Sequence, residues 1–251
     1  MELQVLGSSS SGNCYLLDNG VECLMIEAGV QFAKVKQAMD FDIKRIAGVI
    51  ISHEHGDHAG HVKDCINANV PVYMSHGTRM ALHLGNNPLV HDLNENVISF
   101  INDFRVLPFH VDHDANEPMG FIIYHHECGH VLFATDTKKL PDTIMSDTLC
   151  TFNNILMECN YQPEILQHNV DSGDVVYSVA KRITQSHCSL DRCIATLERL
   201  DLSQVNNVVL IHLSSQNADP DICHDEVVGA IGKKVTIARR GVTIGFNNKP
   251  F

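Results

Sequence analysis

The chain has 251 residues, of which 44% are hydrophobic and 19% are charged, and its formal net charge is −12. This composition is ordinary for a globular protein, and no apolar run approaches the roughly 20 residues that span a bilayer. The acidic balance argues against a long nucleic-acid footprint, because proteins that neutralise many phosphates usually carry a basic face. With no signal-peptide pattern at the N-terminus, we expect a cytoplasmic protein without membrane segments.

The apolar runs, taken in chain order, predict strands that first form hairpins and then mix with helices. The predicted strands cover residues 3–6, 14–18, 21–26, 46–51, 71–74, 97–101, 104–109, 121–124, 131–134, 155–157, 208–211, 235–237 and 242–244. The predicted helices cover residues 30–39, 59–67, 175–183, 190–200 and 220–231. Because no repeat or linker interrupts these elements, we expect a single domain over residues 1–251, in which sheets pack face to face with helices outside.

Two residue types bear on metal chemistry. The chain has 9 cysteines but no Cys-x-x-Cys pair, so we expect buried free thiols rather than a disulfide framework or a cysteine zinc site. The chain also has 16 histidines, and histidine is the commonest metal ligand as well as a proton carrier at physiological pH. Their placement decides what they do.

The segment HEHGDH at residues 53–58 follows a predicted strand and precedes a predicted helix. His53 and His55 are two positions apart, so in an extended segment they point the same way. Asp57 and His58 lie past a glycine, where the chain can turn sharply. The segment can therefore offer two imidazoles to one metal ion and a carboxylate with an imidazole to a second, a donor set that suits zinc, manganese or iron. The alternative, a solvated turn with chance histidines, explains less of this density of ligand-type residues.

This segment resembles the first metal-binding motif of the metallo-β-lactamase superfamily, and later segments match that superfamily in type and order. They are VDHDANEPMG around His113, ATDT around Asp136 and LIHLS around His212. The resemblance covers nearly the whole chain. It implies an α/β fold, the αβ/βα four-layer sandwich, with metal ions held by loops at one edge of the sheets.

The resemblance also implies two divalent metal ions, with Zn²⁺ as the first expectation and Mn²⁺ as the alternative. Their ligands would be His53, His55 and His113 for one ion, Asp57, His58 and His212 for the other, and Asp136 for both. A hydroxide between the ions would be the nucleophile, because a bound metal ion lowers the pKa of water to about 7. Asp57 and His187 are the expected catalytic residues.

Some of these positions have alternatives in the sequence. Neighbours that could ligate in place of His113 are His110, Asp112 and Asp114. Taken alone, Asp136 could be a turn residue and His212 a structural histidine.

His187 lies in the segment QSHCSL, which resembles the His-x-Ser loop of phosphodiesterases within the superfamily. There the histidine contacts the phosphate and protonates the leaving oxygen, and such an acid is needed because an alkoxide leaves poorly at neutral pH. The competing interpretation is that His187, and not His212, is the last metal ligand.

Two segments resemble the YycJ/WalJ-type hydrolases of the superfamily: GSSSSGNC at residues 7–14 and HLSSQNADP at residues 212–220. A serine-rich loop bounded by glycines can offer backbone N–H groups to an anion, although it could also be merely a flexible turn. The expected substrate-binding residues are Ser9, Ser10, Asn13 and Ser189. Glu27 stands where the family usually has an aspartate, and we expect it to re-aim a supporting hydrogen bond without abolishing metal binding.

These features predict a two-metal phosphodiesterase that acts on a small nucleotide or a nucleic-acid end. The acidic charge and compact size favour cyclic mononucleotides such as cCMP and cUMP, which the phage anti-Pycsar proteins of this superfamily cleave. The first alternative is a YycJ/WalJ-like DNA exonuclease. The second is a non-hydrolytic di-iron redox or metal-binding protein, which His55 disfavours because those relatives carry a carboxylate there. A homodimer, whose second subunit could complete the cleft, is a further expectation, since dimers are common.

Overall fold

The apolar runs form two seven-stranded sheets in the computed structural model, which describes residues 1–145 and 151–249. The strands are β1 (Glu2–Gly7), β2 (Cys14–Asp18), β3 (Cys23–Ile26), β4 (Ile46–Ile50), β5 (Val72–Ser75), β6 (Val90–Leu93), β7 (Ser99–Ile101), β8 (Phe104–His110), β9 (Met119–His125), β10 (Gly129–Ala134), β11 (Asn154–Glu158), β12 (Asn207–Ile211), β13 (Val235–Ile237) and β14 (Thr243–Gly245). The first sheet has the order β14-β1-β2-β3-β4-β5-β6 and the second has the order β13-β12-β11-β10-β9-β8-β7.

Each sheet combines an antiparallel half with a parallel half. In the first sheet, β3 to β6 pair in parallel, and in the second sheet β10 to β13 do so. The carboxyl ends of parallel strands meet at one edge of a sheet, where α/β proteins commonly bind ligands. The residues that end or follow β4, β10, β11 and β12 are therefore brought to that edge.

Helices cover the outer faces of both sheets. They are α1 (Phe32–Ala38), α2 (Gly56–Ala59), α3 (Val62–Asn67), α4 (His76–Ala81), α5 (Asp142–Met145), α6 (Pro163–Asp171), α7 (Tyr177–Ser186), α8 (Leu190–Arg199) and α9 (Pro220–Ile231), with a 3-10 helix over Ile43–Arg45. Because strand side chains alternate between faces, Leu24 packs between the sheets with Phe133 and Val209 of the second sheet, whereas Met25 packs outward against Val35 of α1. The result is the predicted helix–sheet–sheet–helix sandwich.

Several elements differ from the sequence prediction. The helix predicted over residues 59–67 is divided into α2 and α3 around Gly60 and His61. The prediction missed β6, whose sequence VHDL buries only its end residues. It also missed α4 and α6. The α6 helix begins at Pro163 and has Leu166 as its buried residue, so it lacks the apolar stripe by which a helix is recognised.

The cysteines are buried and free, as predicted, at each position within the described residues, namely Cys14, Cys23, Cys65, Cys128, Cys159, Cys188, Cys193 and Cys223. Cys150 lies outside the described residues. In the described parts of the chain no helix is long and apolar enough to cross a membrane.

Candidate active site

The predicted metal ligands converge at the common edge of the two sheets. The HEHGDH segment follows β4 of the first sheet, whereas Asp136 follows β10 and His212 follows β12 of the second. His113 lies between β8 and β9. Parallel pairing places the ends of β10, β11 and β12 side by side, which is why residues far apart in sequence meet here.

The first group of donor atoms consists of His53, His55, His113 and Asp136, whose ligand atoms all lie within 4.8 Å of one another. The Nε2 atom of His53 lies 3.0 Å from Nδ1 of His55 and 3.2 Å from Oδ2 of Asp136. The Nε2 atom of His113 lies 3.2 Å from the same Nδ1 of His55.

The second group consists of Asp57, His58, Asp136 and His212, again within 4.8 Å of one another. The Nε2 atom of His58 lies 3.2 Å from Oδ2 of Asp57 and 3.0 Å from Oδ2 of Asp136. The Nε2 atom of His212 lies 3.1 Å from Oδ2 of Asp57. Asp136 is common to both groups, and its φ of 49°, like the 57° of His212, lies in the left-handed region that is uncommon for residues other than glycine.

The donor set fits a pair of divalent cations. Nitrogen or oxygen ligands bound at about 2.0 to 2.1 Å in a tetrahedron lie about 3.3 Å from one another, and the donor contacts in both groups are close to that spacing. Imidazole and carboxylate donors together suit zinc or manganese. The structure therefore brings all the predicted metal ligands together in two groups that could each hold one ion.

The electrostatics keep the shared carboxylate, Asp136, ionised. Burial works against the charge of Asp136, but the nearby rings of His212 and His58 outweigh it and hold its pKa well below the usual value. Burial disfavours a charged ring at His113 and lowers its pKa to about 4. Burial also opposes charged rings at His58 and His212, but Asp136 outweighs it and raises the pKa of His58 well above the usual value and that of His212 to about 9. The carboxylate of Asp136 and the ring of His113 therefore have the protonation states that a metal ion needs, whereas metal binding would displace protons from His58 and His212.

Asn13 and Glu27 form contacts that hold ligands of the second group in place. The amide of Asn13 donates to the carbonyl of Asp57 at 3.2 Å and lies 3.2 Å from Nε2 of His58. Glu27 accepts from the N–H of Ser52 at 3.3 Å, and its Oε1 lies 3.5 Å from Nδ1 of His58. Asn13 is buried, so its geometry favours a role in holding ligands over the predicted contact with substrate. Glu27 occupies a supporting position, as the sequence indicates.

His187 is held by Glu158, a residue that the sequence interpretation missed. Oε1 of Glu158 accepts from Nδ1 of His187 at 2.7 Å, and Oε2 accepts from the N–H groups of Thr137 and Cys188 at 3.0 and 3.1 Å. Burial opposes a charged ring at His187, but the charge of Glu158, with Asp136, raises its pKa to about 10. Its position in the sequence could have indicated such a role, because Glu158 is a carboxylate at the end of a fully buried strand.

The donor groups open into a cleft of about 300 Å³, bordered by His187 and, on the outer side, by Ser10 and Asn217. Of the other predicted substrate ligands, Ser9 accepts a hydrogen bond from Ser11 N at 3.2 Å and borders a neighbouring cavity. Ser189 is buried and caps α8 by accepting from Arg192 N. Its hydroxyl is thus used to cap the helix, and the structure does not place it for the predicted contact with substrate.

The neighbours of His113 have other partners. Asp112 pairs with Lys138 at 3.2 Å. Asp114 pairs with Arg182 at 2.8 Å through Oδ2, and its Oδ1 lies 3.3 Å from Nε2 of His113, but it does not belong to the first donor group. His110 is exposed. The geometry therefore favours His113 among the alternatives.

A sequence model of the metallo-beta-lactamase superfamily matches residues 9–184. The chain belongs to this superfamily. The predicted membership in this superfamily and the predicted four-layer α/β fold are thereby confirmed. The broad expectation of a metal-dependent hydrolase is confirmed as well.

Curated relatives extend the similarity over most of the chain. The exodeoxyribonuclease YycJ of Bacillus anthracis is 28% identical over 237 residues, covering 82% of this chain and 89% of the relative. The exodeoxyribonuclease WalJ of Streptococcus pneumoniae serotype 2 is 25% identical over 255 residues, covering 96% of this chain and 91% of the relative. Among solved structures, the metallo-beta-lactamase fold protein YhfI of Bacillus subtilis superposes with a TM-score of 0.75 at 15% identity, covering 97% of this chain and 99% of that one.

Proposed function

We propose that this superfamily member is a two-metal phosphodiesterase. The observation that carries the proposal is the shared cleft: two donor groups joined by Asp136 open beside His187, whose other ring nitrogen is held by Glu158. The first ion would be held by His53, His55 and His113, and the second by Asp57, His58 and His212. When bound, the ions would lower the pKa of coordinated water and neutralise phosphate charge.

The protein's own groups would position the substrate and move a proton. The hydrogen bond from Nδ1 of His187 to Glu158 leaves Nε2 for the oxygen that departs from phosphorus. Asp57 would ligate the second ion and orient the attacking group, in the catalytic role expected from the sequence. His187 also belongs to a possible donor group, with Asp136, Glu158 and His212. We assign the ligand role to His212, because its Nε2 lies 3.1 Å from Oδ2 of Asp57 in the second group, whereas His187 directs its Nδ1 to Glu158 at 2.7 Å and lies 3.6 Å from Asp136.

The proposed substrate is the end of a nucleic-acid strand, and DNA is the first expectation. The 25% and 28% identity to exodeoxyribonucleases, over 96% and 82% of this chain, supports that choice. The cyclic mononucleotide hypothesis remains as a second candidate, because a cleft of about 300 Å³ is small and the chain carries a net charge of −12.

The test is a substrate panel with the purified protein and Mn²⁺ or Zn²⁺. Single-stranded DNA, double-stranded DNA, cCMP, cUMP and bis(p-nitrophenyl) phosphate would each be incubated alone, with a chelator control. Release of mononucleotides from DNA ends supports the first candidate, and hydrolysis confined to cCMP and cUMP supports the second. Failure to hydrolyse any phosphodiester with either metal would contradict the proposed function.

A further inference from the structure

A second cavity, of about 510 Å³, adjoins the cleft and has an unusual charge for this protein. Its lining includes Lys34, Arg239 and Arg240 but, within the described residues, no aspartate or glutamate. The chain as a whole has 30 acidic and 18 basic residues. A cavity that gathers basic side chains and excludes acidic ones in such a chain is suited to an anionic ligand. We call it the basic cavity.

The basic cavity and the cleft share a wall. Ser10 borders the cleft, whereas Ser8, Ser9 and Ser11 border the basic cavity, and Ser214 borders both. This wall is attached to the metal-binding region, because His212 N donates to Oγ of Ser8 at 2.9 Å. A ligand that extended from the cleft past Ser10 would therefore reach the basic cavity.

The basic side chains are available to a ligand. Within residues 1–145 and 151–249, neither Lys34 nor Arg240 has a side-chain hydrogen bond or ion pair. Arg239 contacts Asp221 at 3.2 Å, but these side chains are 58% and 89% exposed, and such exposed pairs contribute little. Arg239 and Arg240 are exposed and Lys34 is half-buried, and basic groups that reach solvent without strong internal partners can exchange water for phosphate oxygens at small cost.

The backbone that carries the arginines is well anchored. Ala238 N donates to the carbonyl of Leu210 at 2.9 Å, and Gly241 N donates to the carbonyl of Val5 at 2.8 Å. The turn between them is closed by Val242 N, which donates to the carbonyl of Arg239 at 3.0 Å. Arg239 and Arg240 thus lie on a segment that is hydrogen-bonded to both sheets, and they share the cavity lining with Lys34 of α1. A preorganised anion site needs such anchoring.

We infer that the basic cavity binds the sugar–phosphate backbone of the strand that continues from the scissile phosphodiester. The inference rests on the proposed function and specifies its substrate class: a strand with more than one phosphate, and not a mononucleotide alone. A basic groove that follows the backbone without reading bases is typical of single-strand binding. It also explains how an acidic chain could hold nucleic acid, because the favourable charge is concentrated in one place.

The test combines binding and turnover in the double variant Lys34→Ala/Arg240→Ala. Binding would be measured by fluorescence anisotropy with a phosphorothioate single-stranded oligonucleotide, which resists cleavage, across a range of salt concentrations. We expect the Kd to rise at least about fivefold and the slope of log affinity against log salt to fall by about 0.7 for each phosphate that the variant no longer neutralises. The ratio of kcat/KM for an oligonucleotide to that for bis(p-nitrophenyl) phosphate should fall to a similar extent.

Two controls separate charge from folding. Lys234→Ala removes an exposed lysine beyond the far end of α9 and should bind like the wild type. The charge-conserving variant Lys34→Arg/Arg240→Lys should retain most of the affinity. An unchanged Kd and salt slope in the double alanine variant would overturn the inference while leaving the proposed function intact. Absence of phosphodiester hydrolysis by the wild type would instead count against the proposed function, and the binding result would still decide the inference.

Discussion

Glu158 illustrates how one buried carboxylate can organise a site at the scale of a residue. Each of its oxygens accepts hydrogen bonds: Oε2 from two backbone N–H groups and Oε1 from the ring of His187. Oε1 also lies 3.3 Å from Nδ1 of His212. This network fixes which nitrogen of His187 faces the cleft, a detail on which proton transfer to a leaving group depends. We therefore expect Glu158 to act as a positioning residue through His187.

The variant Glu158→Gln should slow turnover by about 10² on an oligonucleotide, because the amide replaces an acceptor with a donor and removes the charge that keeps the ring protonated. Hydrolysis of bis(p-nitrophenyl) phosphate should be affected less, since p-nitrophenolate leaves without a proton. Steady-state kinetics on both substrates, with metal content measured alongside, would test this. Glu164→Gln, at an exposed carboxylate of α6, is the control. Equal slowing on the two substrates would exclude a role in leaving-group protonation.

The same comparison tests His187 directly. His187→Ala should retain bound metal and lose about 10² to 10⁴ in kcat on the oligonucleotide. Loss of a metal ion from this variant would instead favour the competing assignment, in which His187 is a ligand. Metal analysis of the purified variant distinguishes the two.

At the scale of elements, α9 begins at a well-defined N-cap, Asp219. Oδ1 of Asp219 accepts from the N–H groups of Asp221 and Ile222 at 2.9 and 3.2 Å. Pro220 follows in the first turn, where its missing N–H costs no hydrogen bond. The sequence predicted this cap correctly because the signal is local.

Asp219→Ala should therefore lower the free energy of unfolding by about 1 kcal/mol, the usual contribution of an aspartate cap. Urea unfolding followed by circular dichroism would measure the change. Asp225→Ala, at an exposed aspartate in the middle of the same helix, should have a smaller effect. An Asp219→Ala variant as stable as the wild type would show that the cap contributes nothing.

Elements with non-local determinants were harder to predict. The strand β6 pairs with β5 at the end of the first sheet, and its short sequence VHDL has neither a full apolar run nor strict alternation. The α4 helix depends on Ser75, whose side chain accepts from Thr78 N, a cap without an apolar stripe behind it. Hydrophobic pattern thus predicted the buried strands and the helices with apolar faces, whereas edge and polar elements depend on contacts that the sequence does not display.

The residues of the candidate site also differ in how far the sequence alone could predict them. Spacing alone was enough to group His53, His55, Asp57 and His58, because they lie within one segment of six residues. His113, Asp136 and His212 required a known motif order, since the parallel strand pairing that brings them together cannot be deduced from local pattern. Glu158 was missed because a carboxylate at the end of a buried strand has no motif of its own.

At the scale of the whole molecule, the donor groups join the two sheets. His53 and Asp57 follow a strand of the first sheet, whereas Asp136 and His212 follow strands of the second. Metal ions held between them would bind the folded chain and not the unfolded one, and would therefore stabilise the assembly of both sheets by mass action.

Removal of metal by a chelator should lower the Tm by roughly 10 °C, since a ligand at 1,000 times its Kd contributes about 4 kcal/mol and each kcal/mol corresponds to about 2 to 4 °C in a chain of this size. Differential scanning calorimetry with and without EDTA would measure the shift. The variant Asp136→Ala should show little response to EDTA. A wild type whose Tm is insensitive to EDTA and to added Zn²⁺ or Mn²⁺ would argue against a metal that joins the sheets.

The most direct test of the two-metal phosphodiesterase is metal stoichiometry measured together with hydrolysis, in the wild type and in Asp136→Ala. Because Asp136 belongs to both donor groups, we expect about two equivalents of metal per wild-type chain and hydrolysis of bis(p-nitrophenyl) phosphate. In Asp136→Ala we expect loss of most bound metal and of activity. Full activity of the wild type after metal removal, or an Asp136→Ala variant that keeps both ions and hydrolyses the substrate normally, would contradict the account.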